Sequence, residues 1–419
     1  MTNLVQELLE LENVKVIGYK IQNDAIYIQV ESTKSEILCK KCGKPTKPKG
    51  VGKEIQLRHL AVLGKASYIT IKPKRGICEN CDDHPTTTQS LEWYEPNGRH
   101  TKYFEDHLLF SLINSTVSDV SMKESVGYDA VEGVLNRRIA NEINWKNIPI
   151  IGLLGIDEIS LRKGHQDFMT LVTSRYNNKT RILAVIKGRE KAVIKEFLLT
   201  IPKKLKNTTV GVCTDMYDGY VNAAREVFGN EIPVIVDRFH VAKLYRQCLV
   251  NLRKNELVRL RKVLSEETYQ SLKPAIAILK RNKEYVTQEE KKILQLLFKY
   301  SPALKEAHKL CCQLTGIYNS NIGKRKANSK INAWILLVEQ SQLRCFDTFA
   351  KTLKKYQTEI VAYFKGRNTS GFVEGFNNKV KVLKRRCYGI FDENSLFRRL
   401  FLDCYGYALF GQARGFAAV

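Results

Sequence analysis

The sequence predicts a multidomain α/β protein. An N-terminal zinc ribbon and a helix-turn-helix precede a mixed sheet with helices, and a helical insertion interrupts that last domain. Three observations predict this. Two Cys-x-x-Cys pairs lie among short alternating runs, strands alternate with a helix over residues 149–240, and residues 241–365 are almost wholly helical and rich in lysine. The expected pieces are 1–95 (zinc ribbon), 96–147 (helix-turn-helix), 148–240 (first part of the α/β core), 241–365 (basic insertion) and 366–419 (second part of the core with basic C-terminal helices).

A chain of 419 residues, 44% apolar and 26% charged, can bury several cores. Its charge is the anomaly. Against 43 Asp and Glu stand 68 Lys and Arg, a net +25. Such an excess points to a polyanion, most often nucleic acid. The longest apolar run, Ile148 to Ile156, is broken by Pro149, Gly152 and Gly155, so no membrane partner is expected. The N-terminus has no basic stretch before an apolar core, and 11 cysteines fit reduced thiols. Both predict a cytoplasmic protein.

VKVIGYKI and AIYIQV alternate around Gln22, Asn23 and Asp24, which predicts a β-hairpin. EIQLRHL and ASYITIK around Gly64 predict two further strands. Cys39 and Cys42 form one knuckle, Cys78 and Cys81 the other, with 35 residues between the pairs. Two intervening residues let both thiolates of a pair face one ion, and four close a tetrahedral structural Zn²⁺ site. His84 is an alternative to Cys81. Gly43 suits the positive φ of a knuckle turn, and Lys40, Lys41 and Lys44 are expected to lower the thiol pKa values. The seven other cysteines have no ligand spacing.

Residues 117–140 predict two short helices. Ser118 or Asp119 would cap the first, which would end near Gly127; Asp129 with Glu132 resembles a capping box for the second. Val131, Val134, Leu135 and Ile139 make one stripe, leaving Arg137 and Arg138 off it as candidate DNA contacts.

In the α/β region, the strand from Ile151 to Ile156 runs into Asp157-Glu158. DFMTLVTS and RILAVIKG give two more strands, and a helix ends at Pro202. TTVGVCTD closes on Asp215 and IPVIVDRFH contains Asp237 and His240. This order matches the ribonuclease-H-like arrangement, where the first and fourth strands are neighbours. Asp157 and Asp215 would then meet across 58 positions, with Asp237 one strand further out. A third carboxylate, Glu374, stands in the first turn of a helix started by Thr369, Ser370 and Gly371. Asn377, Asn378 and Lys381 share its face.

These segments resemble a bacterial insertion-sequence DDE transposase of the ISL-three family. The pieces that carry the resemblance are the paired CxxC motifs, the helix-turn-helix, GIDEIS, TDMYDGY, VDRFHVAK and GFVEGFNNKVKVLKR. The resemblance covers nearly the whole chain. It implies an acidic triad of Asp157, Asp215 and Glu374 holding two Mg²⁺ (or Mn²⁺) ions, with Asp237, His240, Asn378 and Lys381 in support. It implies cleavage and strand transfer on double-stranded DNA, both the terminal inverted repeats and target DNA, by a nucleoid-associated homodimer or larger synaptic complex. Two rivals are a resolvase-type nuclease of the same fold and a non-cleaving regulator derived from such an enzyme. The 159 positions from Asp215 to Glu374 imply the insertion.

Residues 240–330 carry a net +13, over half the surplus in under a quarter of the chain. An excess this concentrated is expected to track phosphates through Lys254, Arg259, Arg261, Lys280, Arg281 and Lys283. Lys384, Arg385 and Arg386 add a basic patch in the tail. Trp334 is expected in the core, with stacking on a base as the alternative.

Overall fold

The computed structural model describes residues 2–160, 168–279, 281, 286–369, 371–390 and 392–411. The chain divides into two compact units: residues 1–140 with 398–419, and residues 141–397. Lys280, Lys283 and Ser370 lie outside the described residues.

The first unit opens with α1 (Thr2–Leu9) and the hairpin β1 (Val14–Gln22) and β2 (Ala25–Ser32). Asn23 and Asp24 both have positive φ, the backbone of a two-residue turn that matches strand twist. Three cysteine-region strands, β3 (Lys47–Val51), β6 (Lys74–Ile77) and β7 (Thr86–Thr88), form a sheet of their own. Between β3 and β6 run β4 (Ile55–Val62) and β5 (Lys65–Ile71), which complete a four-stranded sheet in the order β1-β2-β5-β4. Its buried face carries Val14, Val16, Ile28, Val30, Leu57, Ile69 and Ile71, covered by Leu91, Trp93 and Tyr94.

Three helices follow: α2 (Lys102–Leu112), α3 (Val117–Glu124) and α4 (Tyr128–Arg138). The expected stripe of Val131, Val134, Leu135 and Ile139 is buried against Phe104, Leu108 and Val120. The caps differ from expectation. Thr116, not Ser118 or Asp119, caps α3, its hydroxyl accepting from the Asp119 amide at 2.9 Å. Ser125 takes a left-handed conformation and ends α3 before Gly127. Gly127 itself starts α4 without a side-chain cap, so Asp129 is already in the first turn, where its charge faces the helix N-terminus.

The second unit is built on a five-stranded sheet. Its strands are β8 (Gly152–Ser160), β9 (Phe168–Tyr176), β10 (Lys179–Lys187), β11 (Thr209–Thr214) and β12 (Val234–Val236), in the order β10-β9-β8-β11-β12. β8, β9 and β10 are antiparallel; β11 is parallel to β8 and β12 to β11. The central β8 is buried almost throughout, as a strand covered on both faces must be. The connections are α5 (Lys191–Thr200), α6 (Lys203–Lys206) and α7 (Asp218–Phe228).

After β12 the chain is helical: α8 (Arg238–Val263), α9 (Glu266–Leu272), α10 (Ala275–Ile278), α11 (Gln288–Tyr300), α12 (Pro302–Asn319), α13 (Lys324–Ser341), α14 (Asp347–Lys355) and α15 (Gln357–Gly366). Trp334 belongs to the core. It is 2% exposed, donates Nε1–H to the Leu310 carbonyl at 2.9 Å and meets Phe346 and Phe349 edge-on. Glu359 on α15 is buried and ion-paired with Arg225 of α7, which fastens the helices to the sheet layer. Two helices close the chain, α16 (Gly371–Arg386) and α17 (Glu393–Phe410); residues of α17 from Arg398 onward belong to the first unit. Among the described residues no helix is long and apolar enough to cross a membrane.

Gly155 on β8 sits where α16 presses on the sheet. A Cβ there would lie 2.4 Å from Val373 Cγ2, 2.8 Å from Thr173 Oγ1 and 2.9 Å from Phe372 Cζ. Gly155→Ala is therefore expected to destabilise the fold by about 1–3 kcal/mol, as overpacking does. Urea denaturation that gives an unchanged midpoint would disprove the close approach.

Candidate active site

Three carboxylates line one edge of the five-stranded sheet because of its register. Cys213 of β11 lies opposite Gly155 of β8, and Thr214 opposite Val236 of β12. Continued by one or two residues, that register sets Asp157, Asp215 and Asp237 level on three adjacent parallel strands. Asp157 is not at a strand end, as the sequence suggested. β8 runs on to Ser160 because its antiparallel partner β9 pairs that far, while its parallel pairing with β11 stops at Gly155.

Each aspartate has a different setting. Asp157 Oδ2 accepts from Asn377 Nδ2 at 2.6 Å and its Oδ1 from the Glu158 amide at 2.8 Å. Burial raises the Asp157 pKa against the pull of His240. Asp215 is pushed up to about 6, by burial first and by the Asp157 charge second, and its Oδ1 is buried without a partner. Asp237 is 3% exposed and caps α8, accepting from the Phe239 amide at 3.1 Å. His240, one turn into α8, acts on both Asp157 and Asp215 as a favourable charge.

The third element is α16. Phe372 and Val373 pack on β8 at Gly155, which holds the first turns of α16 beside the carboxylate edge. Asn377, one turn after Val373, is buried and reaches Asp157, and its Oδ1 has no partner. Glu374 is exposed in the first turn. Asn378 and Lys381 are also exposed and meet each other at 3.4 Å. Asp157, Asp215 and Glu374 do not close to within 4.8 Å of one another; among the described residues only the four cysteines do. Asn377 is the residue that sequence reasoning placed too low. Its signal was the spacing of three from Glu374, but only the docking of α16 shows which amide turns inward. Glu158, the carboxylate next to Asp157, pairs with Arg189 at 2.7 Å, and Arg189 lies over the Phe168 and Tyr217 rings.

In the first unit Cys39, Cys42, Cys78 and Cys81 converge. Sulfur separations are 3.9 Å for Cys39–Cys81, 3.6 Å for Cys42–Cys78 and 3.7 Å for Cys78–Cys81. Tetrahedral Zn–S bonds of about 2.3 Å require S···S edges of about 3.8 Å, so the donor set fits zinc. Gly43 has φ +69° and donates to the Cys39 carbonyl at 2.9 Å, closing the knuckle turn. Cys39 is lowered to about 6, chiefly by the backbone amides of Cys42 and Lys41. The expected lysine charges are not the main cause, and Lys41 is paired with Asp83. His84 is not in the thiolate group; its Nδ1 lies 3.0 Å from the Cys78 carbonyl.

The basic candidates divide by what already holds them. Arg137 and Arg138 both pair with the buried Glu105, and Arg138 also with Asp106 at 2.5 Å. They fasten the C-terminal end of α4 to α2. Arg259 pairs with Glu256 at 2.7 Å, and Arg281 with Glu290. Lys254 and Arg261 are exposed on α8. Lys384 donates to the Ser160 carbonyl at the end of β8, Arg385 is exposed and Arg386 half-buried.

Level carboxylates on a mixed sheet thus lie beside a helix that bears a glutamate and two amides. Residues 154–400 match the profile of the ISL-three (ISL3) DDE family, described as transposase. The chain belongs to this family. It is 24% identical over 376 residues to the transposase for insertion sequence element IS1001 of Bordetella parapertussis, covering 89% of this chain and 90% of that one. It is 21% identical over 348 residues to the transposase for insertion sequence element IS1557 of Mycobacterium tuberculosis, covering 78% and 77%.

Two desolvated carboxylates side by side cost stability when no cation lies between them. A carboxyl whose folded pKa stands near 6 binds protons more readily than in the unfolded chain, at about 3.9. Its contribution to stability is therefore most favourable below about pH 4 and is lost as pH rises to about 6. Without added Mg²⁺ or Mn²⁺, Asp215→Asn is expected to stabilise the protein by roughly 1–3 kcal/mol at pH 7.5, with the gain falling to about 1 kcal/mol or less near pH 4.5. Thermal denaturation of the zinc-loaded protein in buffer free of added Mg²⁺ and Mn²⁺, at both pH values, checks this; equal stability at pH 7.5 would contradict it.

Proposed function

We propose that this transposase binds the terminal inverted repeats of its insertion sequence, cuts DNA at the element's ends and joins the freed ends to target DNA. The observation that carries the reading is the level placement of Asp157 and Asp215 on neighbouring strands, with α16 docked beside them. We read the sheet as a ribonuclease-H-like core, its order β10-β9-β8-β11-β12 being the support.

Asp157, Asp215 and Glu374 would hold two Mg²⁺ (or Mn²⁺) ions, which when bound supply Lewis acidity at the attacked phosphate and charge stabilisation at the leaving oxygen. The unpartnered Asp215 Oδ1 and Asn377 Oδ1 fit hard-cation ligation at this edge. Asn377 fixes the Asp157 carboxylate, and His240 offsets part of the acidic charge before DNA arrives. Asp237 caps α8 and keeps His240 in place. Lys381 and Asn378 stand on the exposed side of α16, where a phosphate is to be held. Water attacks the phosphorus at the element's end, the P–O3′ bond breaks, and a 3′-hydroxyl and a 5′-phosphate result. That hydroxyl then attacks a target phosphodiester, and a target 3′-hydroxyl leaves.

The four cysteines would bind one structural Zn²⁺ that stabilises the DNA-recognition module. Recognition falls to α3 and α4, with Arg137 the more exposed of its two arginines. Lys254, Arg259, Arg261, Arg281, Lys384, Arg385 and Arg386, with Lys280, are assigned to DNA backbones. A homodimer or larger synaptic complex in the bacterial cytoplasm, associated with the nucleoid, would hold two ends together.

Incubating labelled element ends with Mg²⁺ tests the site. Asp157→Asn, Asp215→Asn and Glu374→Gln are each expected to abolish cleavage and retain end binding, whereas Asp237→Asn keeps measurable cleavage because asparagine still caps a helix. A cleaving Asp215→Asn protein would overturn the triad. Metal analysis under reducing conditions is expected to return one Zn²⁺ per chain, and Cys78→Ser to lose it along with end binding. Zinc-free protein that binds ends normally would refute the structural role.

A further inference from the structure

A groove of about 720 Å³ lies along α8, walled by α12 and the residues after α10. Phe239, Lys243, Arg246, Leu249 and Arg253 line it from α8. Their spacing of three and four residues places them on one face, and from Phe239 to Arg253 that face is about 21 Å long. Its near end is two residues from Asp237, so the groove starts at the carboxylate edge. The described lining holds four cationic side chains, with Arg281 the fourth, and no carboxylate.

Arg281 is already paired with Glu290. Among the described residues, Arg253 has no carboxylate partner. It is 9% exposed, Nη1 donates to the Ile276 carbonyl at 3.1 Å, and Nε has no partner. A buried guanidinium without a counter-ion is costly to keep, and a ligand phosphate would complete it. At the other end Phe239 is half exposed, with its ring free of the core. Cations tracking one line beside an exposed aromatic ring are the elements of a single-strand nucleic-acid groove.

We propose that the groove binds a short unpaired segment of a DNA strand leaving the carboxylate edge. A base stacks on Phe239, and phosphates follow Lys243 and Arg246 to Arg253. This rests on the DNA reading above, and adds that the substrate is unpaired beside the cut.

The test uses the full-length, zinc-loaded protein and fluorescence anisotropy with two probes, a mixed-sequence single-stranded oligonucleotide and a duplex element end. Arg253→Met is expected to weaken single-strand binding tenfold or more, and Phe239→Ala about fivefold or more, with duplex-end affinity within about twofold of wild type. Thermal denaturation controls for folding; Arg253→Met is not expected to lower Tm, because it removes a buried unpaired cation. Single-strand affinity unchanged in Arg253→Met, or equal losses on both probes, would overturn the groove. So would competition by inorganic phosphate as effective as that by the oligonucleotide, which would mean a plain anion site. A wild-type protein that binds single strands through Arg253 but no element end would support the groove and count against end recognition.

Discussion

The parallel pairing of β8 with β11 is the constraint on which the carboxylate edge depends. Backbone hydrogen bonds between these strands fix their register, and the register carries Asp157 and Asp215 to the same level across 58 positions of sequence. A slip of one residue would turn one of the two to the opposite face of the sheet. The same strand also receives α16, because Gly155 has no side chain to hold Phe372 and Val373 away. One strand thus sets the distance between the aspartates and seats the helix that brings Glu374 and Asn377.

The protein handles its buried charges in two ways. Glu105 and Glu359 are buried with arginine partners, and each joins one helix to another. Such pairs are costly to break from one side, so they fix packing. At the carboxylate edge the opposite holds. Asp157 and Asp215 are desolvated together, and although the Asn377 and Glu158 amides, His240 and Arg189 offset part of the cost, both hold their protons more tightly than free aspartate. Arg253 is the cationic counterpart in the helical region. Buried charged groups left incomplete in this way are candidates for a ligand to bring the missing charge.

The cysteine region shows why a thiolate cluster suits this unit. β3 is exposed along its whole length and β7 is only three residues long, so the small sheet buries almost nothing of its own. Knuckle turns closed by backbone hydrogen bonds hold the four sulfurs at tetrahedral spacing. Cross-linking by a metal ion would supply what a small hydrophobic core does not.

The sequence by itself determined the local matters. The Asn23-Asp24 turn, the two cysteine knuckles with Gly43, the buried stripe of α4 and the helical character from α8 to α15 all follow from spacing and residue type, which act over a few positions. Strand order was expected only through the likeness of the β-β-β-α-β-(α)-β sequence to the ribonuclease-H-like arrangement, and the sheet has the order β10-β9-β8-β11-β12. Only the tertiary structure decided the rest. It extended β8 past Asp157 because β9 pairs beyond the point where β11 stops. It chose Asn377 over its neighbour Asn378 as the partner of Asp157, and it turned Arg137 and Arg138 toward Glu105. It left Arg253 buried beside an open groove, its Nε without a partner among the described residues. Each of these depends on which side chain faces which neighbour after distant segments pack, and sequence spacing holds no record of that.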